Sequence, residues 1–345
     1  MKTVLITGGA GFLGIYLSRF LLARGFKVIC LDVADFTADD IKNKIIFLQT
    51  DIKDKKKLIS DFKNIDYVVH AAAALPIAHD RKIIFDTNVE GTKNVLEAAL
   101  KNKIKRLVFI SSTAVYGVPK KVPEQESDII APIGHYGESK VEGEKLCTEY
   151  FKKGLSVNIL RPKTFLGPER LGVFTLWFEA IYQGRPVVIL GNGNNLYQLL
   201  DVNDLCDAIY NGLLTKADGE VFNIGAKKFG TWKQDLGALI KHARSNSKIM
   251  GLPVLPSQMI LALLETLNLS PIVAWHYKTL PINSYVSIEK AVKFLKYNPK
   301  RGNQEILMES YDWYKNNRNK LIGKTGNTHR TIWNFKLLDI FSKFI

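Results

Sequence analysis

The sequence predicts a doubly wound parallel α/β sheet followed by a smaller, mainly helical C-terminal domain. Three observations carry this reading. Strand and helix patterns alternate through the first half, a glycine-rich turn joins the first strand to the first helix, and the alternation fades after Arg161-Pro162.

Val4-Leu5-Ile6 reads as a short buried strand. It runs into Thr7-Gly8-Gly9-Ala10-Gly11-Phe12-Leu13-Gly14, and Ile15, Leu17, Phe20, Leu21 and Leu22 then mark an amphipathic helix. Further strands are expected at Lys27–Leu31, Ile45–Leu48, Tyr67–His70, Leu107–Ser111 and Val157–Leu160. Helices lie between them, clearest at Phe85–Leu100 and Gly137–Phe151. Beyond the glycine- and asparagine-rich loop Gly191–Asn195 come a helix near Asn203–Leu214 and a strand at Val221–Ile224. Prolines 253, 256, 271 and 281 cut the last third into short helices. The expected organisation is a nucleotide-binding domain over residues 1–165, rejoined by 202–225, with a substrate domain built from 166–201 and 226–326 and a tail at 327–345.

The composition, 46% hydrophobic and 23% charged over 345 residues, is that of a globular protein with a sizeable core. The N-terminus has no signal-peptide pattern, and no apolar stretch reaches the roughly 18 residues that span a bilayer. Cys30, Cys147 and Cys206 are widely spaced and odd in number, which suggests neither a metal site nor a disulfide framework and points to the cytoplasm. The net charge of +15 comes from lysines scattered along the chain, with no basic stripe interleaved with aromatics. That argues against nucleic acid and leaves open an anionic small molecule or a lysine-rich surface that serves solubility alone.

Glycines three apart between a strand and a helix let backbone N–H groups approach a pyrophosphate. Gly8 makes the tight turn, Gly11 admits the phosphate, and Gly14 lets helix and strand pack, with Phe12 and Leu13 between them. Asp32 ends the second strand, 18 residues after Gly14, where a carboxylate accepts hydrogen bonds from ribose hydroxyls and repels a 2′-phosphate. This selects NAD over NADP. Asp51 and Ile52 close the third strand, and Ala71-Ala72-Ala73, after the fourth, are small enough for a cofactor to lie against the backbone. Tyr136 and Lys140 stand four apart on one helical face, where a lysine ammonium lowers a tyrosine pKa toward use as a base. Tyr116/Lys120 and Tyr311/Lys315 share that spacing. Gly117 and Pro119 break the first, and the second lies among packing aromatics. Ser112, at the end of the fifth strand, supplies a hydroxyl to the same reacting oxygen.

Together these segments resemble the extended short-chain dehydrogenase/reductase family, in its NAD-dependent epimerase/dehydratase branch. The matching pieces also include Asn88-Val89-Glu90-Gly91-Thr92, Leu160-Arg161-Pro162, Gly167-Pro168, Val202-Asn203-Asp204-Leu205 and Phe222-Asn223-Ile224-Gly225. The resemblance implies a Rossmann-type domain that binds NAD, with Asn88 among the cofactor contacts. It makes Tyr136 the base, has Lys140 hold the ribose and steady Tyr136, and has Ser112 orient the substrate oxygen, with Thr113 as the other occupant of that role. It also implies a homodimer.

Dehydratases of that family resemble one another in an Asp-Glu pair after the strand-end hydroxyl, whereas this chain reads Thr113-Ala114-Val115. The expected reaction is therefore 4-epimerisation of a nucleotide sugar by transient hydride transfer. An NAD-dependent hydroxyl dehydrogenase on a non-nucleotide alcohol, as in the 3-beta-hydroxysteroid branch, is the alternative, and a protein that keeps NAD only as a structural or sensing ligand is a third. Substrate positions depart from the epimerase pattern, because Thr164 replaces an asparagine and Tyr197 an arginine that grips the diphosphate. Lys293 is the basic residue placed to compensate. In the tail, Trp333, Leu337, Ile340, Phe341 and Phe344 share one helical face, expected to pack on protein in preference to a membrane surface.

Overall fold

The computed structural model describes residues 1–321 apart from 79, 268 and 271, so the tail at 327–345 lies outside the described residues. Strands β1 (Thr3–Thr7), β2 (Lys27–Asp32), β3 (Ile46–Gln49), β4 (Tyr67–His70), β5 (Arg106–Ile110) and β6 (Val157–Pro162) come from the first half. β7 (Phe165–Leu166), β8 (Val187–Leu190), β9 (Leu200–Asp201), β10 (Val221–Ile224) and β11 (Ile249–Leu252) follow. The central sheet is seven-stranded, in the order β10-β6-β5-β4-β1-β2-β3, and all its pairings are parallel. β1 is flanked by β2 and β4, so the chain leaves it in both directions. The crevice beyond the carboxyl ends of β1 and β4 is where such sheets bind ligands.

The helices are α1 (Phe12–Leu22), α2 (Lys55–Asp61), α3 (Arg81–Phe85), α4 (Gly91–Lys101), α5 (Gly134–Lys152), α6 (Phe174–Tyr182), α7 (Val202–Leu214), α8 (Trp232–His242), α9 (Val254–Thr266), α10 (Ala274–Thr279), α11 (Glu289–Leu295) and α12 (Asn303–Leu321). Alternation along β1 feeds two cores. Val4 and Ile6 pack with Leu17 and Leu21 of α1 and Leu205 and Ile209 of α7, while Leu5 faces Val95 and Leu96 of α4 and Cys147 of α5. A third core, with Phe178, Trp232, Leu236 and Tyr311, holds α6, α8 and α12 together.

Residues 202–224 return to the large sheet through β10, which pairs with β6, and Asp201 caps the intervening α7 by accepting from the Asn203 and Asp204 amides. The Asp204 carboxylate in turn accepts from the Lys300 and Arg301 amides. Two features differ from the sequence expectations. The helix read at Phe85–Leu100 is α3 and α4 joined by a π-helical turn, Asp86–Glu90, which carries Asn88 inward. The last third also contains β11, parallel to β8, whose short run Ile249-Met250-Gly251-Leu252 becomes a strand only through this distant pairing.

A buried polar network fastens α5 to the sheet. Ser111 Oγ donates to Glu144 at 2.5 Å, and Arg161 donates to both Glu144 oxygens at 2.9 and 2.6 Å. Arg161 also reaches the Tyr116 hydroxyl at 2.8 Å, which donates onward to Asn223 of β10. Among the described residues no helix is long and apolar enough to cross a membrane. Removing one member of a buried, hydrogen-bonded ion pair strands the other charge, so Glu144→Ala is expected to cost about 3–5 kcal/mol in chemical denaturation at pH 7. A loss below about 1 kcal/mol would show that the network does not hold α5.

Candidate active site

The turn after β1 is shaped by close approach. Gly8 has φ +71°, and a Cβ there would sit 2.8 Å from the Ala72 nitrogen; at Gly14 it would sit 2.3 Å from the Gly8 oxygen. Gly11 precedes α1 without any side-chain cap. The N–H groups of Phe12, Leu13 and Gly14, in the first turn of α1, have no intrahelical acceptor and face the crevice end of the sheet, a cradle for an anion. Asp32 ties this turn down, accepting from the Ala10 amide through Oδ2 and the Ala34 amide through Oδ1, both at 3.0 Å. Asp51 lies at the end of β3 and accepts from the Lys53 amide at 2.9 Å. Ile52 fills the space left by Gly91, which a Cβ would enter at 2.5 Å.

A directed chain of hydrogen bonds crosses the carboxyl ends of β1 and β4. The Ala72 amide donates to Thr7 Oγ1, which stands 2.7 Å from His70 Nδ1. On the other side His70 Nε2 stands 2.8 Å from Thr92 Oγ1, which itself donates to the Asn88 carbonyl. Since the Thr92 proton is already committed, Nε2 carries the imidazole hydrogen and Nδ1 accepts from Thr7. Burial, with the Lys140 charge, drives the His70 pKa down to about 3. The Asn88 side chain accepts from the Ala74 amide at 2.7 Å and donates to the Ala74 carbonyl and to Ser139 Oγ, and Ser139 donates to the Tyr136 carbonyl. The amide of Asn88 thus links the alanine loop to α5.

Tyr136 and Lys140 stand on α5, beside the end of β5. Lys140 Nζ donates to the Ile110 carbonyl at 2.9 Å and lies 5.7 Å from the Tyr136 ring centre. Burial lowers the Lys140 pKa to about 8, which leaves it mostly protonated at neutral pH. The Tyr136 phenol is pushed up to about 12 by burial, against a hydrogen bond with Ser112 and the positive charge of Arg170. The sequence assigns the lowering effect to Lys140 acting with a bound nicotinamide ring; Ser112 and Arg170 add to it within the protein. Ser112 also receives the Ala114 amide at 3.1 Å, and Thr113 is buried in the turn that follows.

Three side chains of this site escaped the sequence reading. Arg170, Trp275 and His276 line a pocket together with Thr164, Trp177 and Tyr197. The Arg170 guanidinium lies over the rings of Phe12 and Phe165, 5.5 and 4.8 Å from their centres. Its charge acts on both Tyr136 and His276, so the pocket adjoins Tyr136. The Trp275 Nε1 and His276 Nδ1 atoms are buried, with no hydrogen-bond partner among the described residues. Lone arginine, tryptophan and histidine residues in loops and a six-residue helix carry no spacing signal that would have singled them out.

Thr164 and Tyr197 do come together in the lining of this pocket, where the Tyr197 ring stacks on Trp232 with ring centres 4.6 Å apart. Lys293 does not join them. Its helix, α11, is anchored by Thr215 Oγ1 donating to the Phe294 carbonyl and by the Lys290–Glu220 ion pair. Thr215 follows α7 and Glu220 precedes β10, so Lys293 is exposed at the amino-terminal edge of the sheet, away from Tyr136.

Comparison with known proteins decides the family. The sequence profile of the NAD-dependent epimerase/dehydratase family matches residues 4–225. This chain belongs to that family. As a member it is an enzyme whose cofactor is NAD, and the glycine cradle, the uncapped α1 terminus and Asp32 fit such a dinucleotide. An uncharacterized protein of Sinorhizobium fredii is 34% identical over 96% of this chain and 83% of its own length. A putative UDP-glucose 4-epimerase of Methanocaldococcus jannaschii is 33% identical over 69% of this chain and 81% of its own. Among solved structures, a UDP-glucose 4-epimerase from Thermotoga maritima, determined with UDP-glucose, superposes with a TM-score of 0.78. It is 25% identical and covers 92% of this chain and 100% of its own.

Two outcomes test the electrostatics of this family member. His70 has its pKa depressed from 6.5 to about 3 in the fold, so its contribution to stability is complete above pH 6.5 and is lost as pH falls toward 3. Between pH 7 and pH 5 the wild type should lose about 2 kcal/mol more unfolding free energy than His70→Gln, and equal losses would show that His70 is not held neutral. Arg170→Met removes a charge that lowers the Tyr136 pKa. The acid limb of the pH–kcat/KM profile should then move to higher pH, and an unmoved limb would separate Arg170 from the base.

Proposed function

We propose that this enzyme is a nucleotide-sugar 4-epimerase that uses Tyr136 as its proton acceptor and donor. The observation that carries the proposal is the grouping of Ser112, Tyr136 and Lys140 at the carboxyl edge of β5, with Lys140 Nζ donating to the Ile110 carbonyl at 2.9 Å and lying 5.7 Å from the Tyr136 ring centre. NAD bound in this crevice would supply the acceptor and donor for the hydride of the sugar carbinol carbon. Gly8, Gly11, Phe12, Leu13 and Gly14 would hold its pyrophosphate, Asp32 its adenosine ribose, and Asp51, Ile52, Ala71, Ala72 and Ala73 would line the adenine and backbone side. Lys140, held by the Ile110 carbonyl, is positioned for the second ribose, and Asn88 keeps the loop and α5 in register.

For the substrate, Ser112 donates to the hydroxyl oxygen and fixes its direction. Tyr136 takes the hydroxyl proton as the carbon is oxidised and gives it back when the opposite face is reduced. A phenol at about 12 is a strong acceptor once ionised and is too rarely ionised at neutral pH by itself. Positive charge in its surroundings therefore governs its use, and in this chain Arg170 and the Lys140 ammonium stand nearest to supply it. Thr113-Ala114-Val115 places no carboxylate beside the reacting carbon, which supports epimerisation over water elimination. The names of the Methanocaldococcus and Thermotoga relatives support a UDP-hexose.

A second reading has its own observation. The pocket beside Tyr136 is walled by Trp177, Tyr197 and Trp275, and an aromatic wall suits an apolar alcohol oxidised with net release of NADH. One assay separates the two. Purified enzyme given UDP-glucose or UDP-galactose should interconvert them with no net NADH, and Tyr136→Phe should lower turnover by about 10²–10⁴-fold with NAD affinity retained. Accumulating NADH would favour the dehydrogenase, and full activity of Tyr136→Phe would remove Tyr136 as the base.

A further inference from the structure

Helix α9 stands out against the rest of the surface. None of its residues is fully buried. Leu255, Met259, Leu263 and Leu267 recur every fourth position and are 73%, 74%, 60% and 57% exposed, with Ile260 and Leu269 beside them at 52% and 51%. Side chains four apart lie one above another on a helix, so these four form a continuous apolar stripe that faces solvent. Between Lys248 and Glu289 the only residues charged at neutral pH are Glu265 and Lys278. Glu265 is turned inward, accepting from the Ala274 amide at 3.1 Å and the Tyr277 hydroxyl at 2.9 Å. The outward face of α9 therefore carries no charge of its own.

We propose that α9 docks this enzyme onto an anionic lipid surface. The chain carries a net charge of +15, which repels a second copy and attracts a negatively charged interface. Stable attachment of a protein that does not span the bilayer needs more than one weak anchor. The apolar stripe of α9 supplies one such anchor and the positive net charge of the chain supplies the other. α9 packs on α10, whose Trp275 and His276 line the pocket next to Tyr136. Docking thus brings a wall of the pocket close to the interface.

The test uses the full chain and does not depend on turnover. Wild type and the variant Leu255→Gln, Met259→Gln, Leu263→Gln are sedimented with vesicles of phosphatidylcholine alone or with about one third phosphatidylglycerol. Neutral glutamines remove the apolar stripe without adding repulsion, and at exposed positions they should leave the melting temperature unchanged. Wild type should co-sediment with the anionic vesicles, less so as salt is raised, and the variant should bind at least about tenfold more weakly. Wild type that stays in the supernatant overturns the proposal, as does a variant that binds equally well. Light scattering gives one more overturning outcome, a wild-type dimer that the variant turns into a monomer, which would assign α9 to contact between copies.

Discussion

Three backbone segments meet where the turn after β1 presses against the ends of β2 and β4, and no side chain fits between them. A Cβ at Gly8 would meet Ala72, one at Gly9 would meet Cys30 at 2.6 Å, and one at Gly14 would meet the turn itself. These are contacts with backbone or with a fully buried side chain, which cannot yield as a flexible surface group could. The absence of side chains lets α1 begin at the mouth of the crevice, so the field of its N-terminus falls where a pyrophosphate would lie. The same approach lets one carboxylate, Asp32, hold the turn at Ala10 while standing at the end of β2.

Helix α5, which carries Tyr136 and Lys140, depends on that junction through hydrogen bonds. Thr7, at the end of β1, starts a chain that passes through His70 and Thr92 to the Asn88 carbonyl, and the Asn88 side chain continues to Ser139. Each member has its donors and acceptors matched, so a shift of any one would strand another in a dry interior. From the opposite side, Arg161 and Glu144 bind α5 to β5 and β6. Tyr136 is thus set from two directions. This kind of support fixes the direction of the Tyr136 phenol as the proposed base requires, and a loop would not provide it.

The sheet and the cofactor end of the site were legible in the sequence because they rest on local rules. Continuous apolar strands, glycines where side chains cannot fit and an acid at a strand end all leave marks within a few residues of each other. The substrate end obeys no such rule. Lys293 fitted a pattern of basic positions, yet the Thr215 and Glu220 contacts of α11 carry it to the opposite edge of the sheet. Arg170, Trp275 and His276 come from segments about a hundred residues apart, and only tertiary packing makes them neighbours. The β8–β11 pair was missed for the same reason, since Ile249–Leu252 has no strand identity until Val187–Leu190 lies beside it.

The exchange of charge at this end bears on what the pocket recognises. Tyr197, standing where the epimerase pattern has an arginine, is locked by Trp232 and by Lys163, whose Nζ lies 5.1 Å from its ring centre and donates to Ser284 Oγ. It offers a flat aromatic wall in place of a phosphate grip. The positive charge at the pocket belongs instead to Arg170, closer to the reacting end because it acts directly on the Tyr136 phenol. Guanidinium stays protonated at neutral pH even when burial lowers its pKa. One cation can therefore attract an anionic group of the substrate and favour the ionised base at the same time. Those tasks oppose each other, because a bound anion beside Arg170 offsets the charge felt by Tyr136. A substrate whose negative groups lie away from the reacting carbon avoids that conflict, as a sugar joined to a nucleoside diphosphate at the far end of the ring does.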